Sequence, residues 1–170
     1  MRGAQKGGVV VKKYFFLFIL ILLLPTYIFS QSRNSIVIEY EHSRRIPYNK
    51  INIELYFTNN EYKINVKTEQ MAGKEGYEYS NTEQIITIDK DYFDKIYNSL
   101  LCINYGEIIA NCKGMSGLDG IQIKVIIGDF QNNIIFNIWS PEYDSEKRKT
   151  IILNSILKDI FQKIGLAGYL

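Results

Sequence analysis

Histidine is almost missing from this chain of 170 residues: His42 is the only one, beside two cysteines, three prolines and one tryptophan. A single histidine excludes a His-rich metal site and a two-histidine acid–base pair. No cysteine closes the apolar N-terminal run, which argues against a lipid-anchored exported protein. Neither sign of charge dominates, with 20 Lys+Arg against 18 Asp+Glu. Four of those cations, Arg2, Lys6, Lys12 and Lys13, precede residue 31 and no acid does, so the remainder holds 16 cations against 18 acids, a net of −2. A faintly acidic domain lacks the clustered cations that displace counterions from nucleic acid, and no nucleic-acid partner is expected. The densest basic run, Lys147-Arg148-Lys149, reads as the solvated start of a helix.

The first thirty residues are the most distinctive part. After the basic stretch, Tyr14 to Leu24 is uninterrupted apolar sequence, Pro25 breaks it, and the small Ser30 precedes Gln31. The apolar run is shorter than the ~20 residues a bilayer-spanning helix needs. Residues 1–30 therefore read as a secretory signal peptide, with cleavage near Ser30/Gln31 or, alternatively, Ser32/Arg33. Ile28 and Phe29 extend the apolar character past Pro25, so an uncleaved N-terminal membrane anchor is the competing expectation. The expected location is periplasmic or secreted, with membrane contact only if the segment is retained. Intact-mass measurement on chain recovered from the cell envelope checks this: loss of the first ~30 residues is expected, whereas retention of Met1 to Ser30 makes the protein membrane-tethered.

Residues 31–170 fall in the length range of a single domain with one core. An exported chain meets an oxidising compartment, where Cys102 and Cys112 invite a disulfide contributing on the order of 3 kcal/mol. Two buried free thiols are the alternative, and both readings stay open at the level of sequence. The abundance of Ile, Tyr, Asn and Lys is what an AT-rich bacterial genome encodes, so the many Tyr and Asn are no evidence for a sugar-binding surface.

Period-two alternation marks strands at Ile36 to Tyr40, Ile51 to Phe57, Tyr62 to Val66, Gln84 to Ile88, Ile121 to Ile127 and Ile134 to Ile138. Thr58-Asn59-Asn60-Glu61 predicts a tight hairpin, because Asn tolerates a left-handed backbone. A further short strand is expected at Glu107 to Asn111, and Met71 to Asn81 reads as a loop. Asp89 can cap a helix carrying Phe93, Ile96, Tyr97, Leu100 and Leu101 at helical spacing. Asp144 or Ser145 can cap a second, Arg148 to Ile164, ending at Gly165 in a left-handed cap. Hairpin-linked strands with two amphipathic helices predict an α+β fold: a mainly antiparallel sheet covered on one face, a two-layer sandwich. Both halves end strand, acidic cap, helix, which is compatible with a duplicated ββ(β)α unit and equally with two ordinary sheet-to-helix transitions.

Chemistry-bearing motifs are sparse. Gly114-Met115-Ser116-Gly117 lacks the spacing of a nucleophile elbow, so a Ser116, His42, Asp119 triad has no motif behind it. Asp129-Phe130-Gln131-Asn132-Asn133 lacks the Gly and distal Glu of a calcium loop and reads as a polar turn. No metal ligand set and no cofactor motif is present in the pattern. If Ile134, Phe136 and Ile138 face the core, Trp139 and Ile135 point to the uncovered side. Trp139 then either joins Tyr56 and Ile135 in a binding surface near Asp119, or packs under the entry to the C-terminal helix or under the loop at 73–79.

Leu118-Asp119-Gly120, Trp139-Ser140-Pro141 and Arg148, within Gly117 to Gly165, resemble a pattern found in small exported proteins of Bacteroidota without assigned activity. The resemblance implies bacterial source and export, and brings no catalytic residue with it. The expected function is that of a non-enzymatic accessory, inhibitor or immunity domain binding a protein or envelope component. The alternative is a small secreted hydrolase or sugar-active enzyme using Asp119 with a Glu or His42.

Overall fold

Alternation decides which side of each strand is buried, and six strands agree on one side. A computed structural model of the chain describes residues 34–43, 48–70, 81–113, 117, 119–129 and 131–170. The N-terminal segment, residues 71–80, for which the sequence predicts a loop, and Ser116 lie outside the described residues. The strands are β1 (Ser35–His42), β2 (Tyr48–Thr58), β3 (Glu61–Gln70), β4 (Thr82–Ile88), β5 (Ile121–Gly128) and β6 (Asn133–Trp139). They form one sheet in the order β4-β3-β2-β1-β5-β6, and every pair is antiparallel. Register places Val66, Ile53, Ile38, Val125 and Phe136 in one row across five strands, and all are buried. Fully burying each such aliphatic side chain contributes about 1.5–3 kcal/mol relative to exposure.

The helices cover that face alone, giving the α+β two-layer sandwich. They are α1 (Lys90–Leu101), α2 (Tyr105–Cys112), α3 (Ser145–Arg148) and α4 (Ile151–Lys163), followed by a 3-10 turn at Ala167–Tyr169. Phe93, Ile96 and Leu100 of α1 and Leu153, Ile156, Leu157, Ile160 and Phe161 of α4 complete the core. The Asp89 carboxylate caps α1 by accepting from the Tyr92 N–H at 2.6 Å. Gly165 at φ +77° ends α4, and the Leu166 N–H donates to the Phe161 carbonyl. The 3-10 turn is tied to the sheet by Tyr40, whose hydroxyl donates to the Tyr169 carbonyl at 3.0 Å.

Three sequence expectations change. Glu107 to Asn111 is helix rather than strand: Asn104 caps it by accepting from Glu107 N–H at 3.1 Å. Tyr105, Ile108 and Cys112 then share its inner side, a 3.6-residue period that an Ile-Ile pair conceals. The C-terminal helix is two helices, broken at Lys149 in a left-handed conformation, and neither is capped by the side chain before it. Cys102 and Cys112 are free thiols, not a disulfide; α2 separates them, and Cys112 Sγ accepts from Arg148 Nε instead. The Asn59-Asn60 hairpin is as expected, both residues having positive φ between the paired Thr58 and Glu61. Four strands precede the first helices and two the second, so the halves share only their strand-to-helix endings.

Candidate functional site

The open face of the sheet is mostly a lattice of paired charges. Lys124 meets Glu39 at 2.9 Å, Lys67 meets Glu83 at 3.2 Å, and Lys50 meets Glu41 at 3.7 Å. A shallow hollow of about 210 Å³ lies among Glu39, Glu41, Lys50, Asn52, Lys67 and Glu69. Hydrogen bonds from Lys67 and then Asn65 hold the Glu83 carboxyl below its usual range, which suits a solvated anion and not a general acid. Among the described residues no group of three or more His, Cys, Asp or Glu is placed to hold a metal.

The feature that stands out is at one end of the sheet, where β6 leaves for α3. Arg148 is fully buried, contrary to its reading as part of a solvated basic run, while Lys147 and Lys149 beside it are exposed. α3 is a single turn and the chain reverses at Lys149, so the middle residue of the three alone points inward. Its guanidinium donates from Nη2 to the Trp139 carbonyl at 2.7 Å, from Nη1 to the carbonyls of Ser140 and Tyr143, and from Nε to Cys112 Sγ at 3.2 Å. No carboxylate pairs with it among the described residues. Three of the four bonds made by the planar guanidinium thus fix backbone carbonyls. Thr150, also fully buried, donates from Oγ1 to the Pro141 carbonyl at 2.6 Å, which also accepts from Asn154 Nδ2. These bonds make residues 139–143 a rigid shelf.

Trp139 stands on that shelf against glycine. A Cβ on Gly117 would lie 2.3 Å from Trp139 Cζ2, and one on Gly120 would lie 2.5 Å from Ser140 Oγ and 2.8 Å from Trp139 Nε1. Only hydrogen at both positions lets the indole sit so close to this turn. The other neighbour is Tyr143, with ring centroids 6.4 Å apart and 62% of Tyr143 exposed. Trp139 is half-buried on the open-face side of β6, with its indole against Gly117 and Gly120 and beside Tyr143.

The four expected binding residues do not gather. Asp119 is exposed in the turn that backs Trp139. Ile135 shares the open face but lies four residues up β6, about 13 Å away. Tyr56 is three strands away and six register positions along, about 20 Å along the strands and about 14 Å across them. Register also sets His42 opposite Ile121, and Ser43 N–H donates to the Gly120 carbonyl, so His42 and Asp119 belong to the same end of the sheet. Tyr143 escaped the sequence reading because it sits in no periodic element; the signal available was an aromatic two residues past Pro141. No helix among the described residues is long and apolar enough to cross a membrane. No protein-family model and no curated protein matches this chain.

Proposed function

We propose that this is an exported, non-enzymatic binding domain of bacterial origin, engaging a protein of the cell envelope through Trp139, Tyr143 and Asp119. The observation that carries the proposal is the fully buried Arg148, which fixes the backbone beneath an exposed tyrosine and a half-buried tryptophan. Trp and Tyr on a preorganised support lose little side-chain freedom on binding and recur as energetic anchors of interfaces. The N-terminal pattern supports export, periplasmic or secreted, and the Leu118-Asp119-Gly120 and Trp139-Ser140-Pro141 pattern supports the Bacteroidota resemblance. Tyr56 and Ile135 are not part of this site.

A photo-crosslinking amino acid at position 143, compared with one at position 56, tests the proposal in cells. Discrete crosslinked products from 143 and none from 56 are expected. Products from 56 alone would move the binding surface to the open face of the sheet.

The second reading, a small hydrolase or sugar-active enzyme, rests on the shared location of His42 and Asp119. It requires turnover that Asp119→Asn and His42→Ala both abolish.

A further inference from the structure

The hydrogen bonding of β6 identifies an unfilled strand position. Ser140 N–H donates to the Ile121 carbonyl, and the register pairs Ile138 with Ile123, Phe136 with Val125 and Ile134 with Ile127. In an antiparallel ladder the pairs alternate, so these even-numbered residues turn their main-chain groups toward β5. The N–H and C=O of Asn133, Ile135, Asn137 and Trp139 therefore point away from β5, and among the described residues β6 is the last strand of the sheet. Exposed edges are ordinarily guarded by Lys, Pro, a bulge or an inward charge. The segment Asn-Ile-Ile-Phe-Asn-Ile-Trp has no ionisable residue and no proline, whereas β4, at the other edge, carries Glu83.

We propose that β6 is a dimerisation edge, on which a second copy of this chain pairs antiparallel to join two six-stranded sheets into one. Self-complementarity favours a second copy as the occupant. Trp139 has its outward carbonyl already taken by Arg148 Nη2 at 2.7 Å, which rules out registers that need it. The two-fold register using only the remaining groups sets Ile135 against the partner's Ile135 and Asn133 against the partner's Asn137. Ile135, 57% exposed, then meets its own copy on the open face. On the helix side Ile134, 41% exposed, meets the partner's Phe136. Tyr105 packs on Phe136 with centroids 5.0 Å apart, so α2 overlies this strand, and Ile109, one turn along from Tyr105, is 59% exposed. An edge of this length covers on the order of 1,000 Å², the low end of specific interfaces, and dissociation in the range of ~10 μM is expected.

Sedimentation of the full chain at concentrations spanning that range tests the dimer. Wild-type protein is expected to pass from one chain mass to two, and Ile135→Lys, which sets two ammonium groups face to face, to remain at one. A second readout does not depend on that variant folding as well as the wild type. Ile135→Cys is expected to form a disulfide-linked dimer on mild oxidation, because the residues of a hydrogen-bonded pair lie about 5.5 Å apart between Cα atoms. Ile85→Cys, on the other edge, is expected to add nothing to the background of the native thiols. A wild-type chain that stays monomeric, an Ile135→Lys variant that dimerises equally, or equal crosslinking from positions 85 and 135 would overturn the proposal. None of these outcomes depends on the Trp139 and Tyr143 site.

Discussion

Arg148→Ala is expected to destabilise the domain by about 3–5 kcal/mol, the largest effect of any single substitution outside the aliphatic core. The residue is wholly buried and donates to three backbone carbonyls and a thiol. Buried ion pairs are often replaced by apolar side chains at no cost, because both partners are removed together. That route is closed here. The Ser140 carbonyl belongs to the main chain, and a variant leaves it buried without this donor, at about 1–3 kcal/mol, while the part-buried carbonyls of Trp139 and Tyr143 lose the same donor. Arg148→Met fills the volume and is still expected to lose more than 2 kcal/mol on that ground. Arg148→Lys keeps the charge without the planar fork and is expected to fall between Ala and wild type. Urea unfolding checks the series, and for a domain of this size the Ala variant should melt more than about 10 °C lower. An Arg148→Ala midpoint within about 2 °C of wild type would remove the shelf from the account.

The sequence discloses the sheet far better than the site, for a physical reason visible in particular residues. Strands such as Ile36 to Tyr40 bury one face only, so alternation is imposed residue by residue and is readable locally. The Asn59-Asn60 turn needs two left-handed residues and has the residue type that tolerates them. Asp89 and Gly165 mark helix ends through bonds to their own neighbours in sequence. By contrast, α2 was legible only with its cap, because Ile108 and Ile109 suit a strand equally well until Asn104 is recognised as the start of a helix. Burial of Arg148 depends on the left-handed Lys149, which closes α3 after one turn; a charged residue between two lysines carries no local sign of it. Trp139 meets Gly117 and Gly120 across the sheet end, some twenty residues away in sequence, a closeness that no local pattern encodes.

Binding should be equally sensitive to one exposed ring. Tyr143 is 62% exposed, touches Trp139 at a centroid distance of 6.4 Å, and offers its carbonyl to Arg148 at 3.1 Å, so its backbone is fixed while its side chain faces solvent. Truncating it leaves the Arg148 bond and the core in place, which separates binding from stability. As an anchor in a preorganised site it should contribute at least about 2 kcal/mol, equivalent to about 30-fold in affinity. Trp139→Ala should lose more, but it also opens a void against Gly117 and Gly120, so its effect mixes packing with recognition. Tyr56 supplies the control, since it is part of the sheet remote from Trp139. The most direct measurement is a titration of the partner recovered by crosslinking at position 143 against wild type, Tyr143→Ala and Tyr56→Ala, each with an unchanged thermal midpoint. Loss of about 30-fold or more for Tyr143→Ala, with Tyr56→Ala within about 3-fold of wild type, is the predicted result; unchanged affinity for Tyr143→Ala, or a greater loss for Tyr56→Ala, would contradict it.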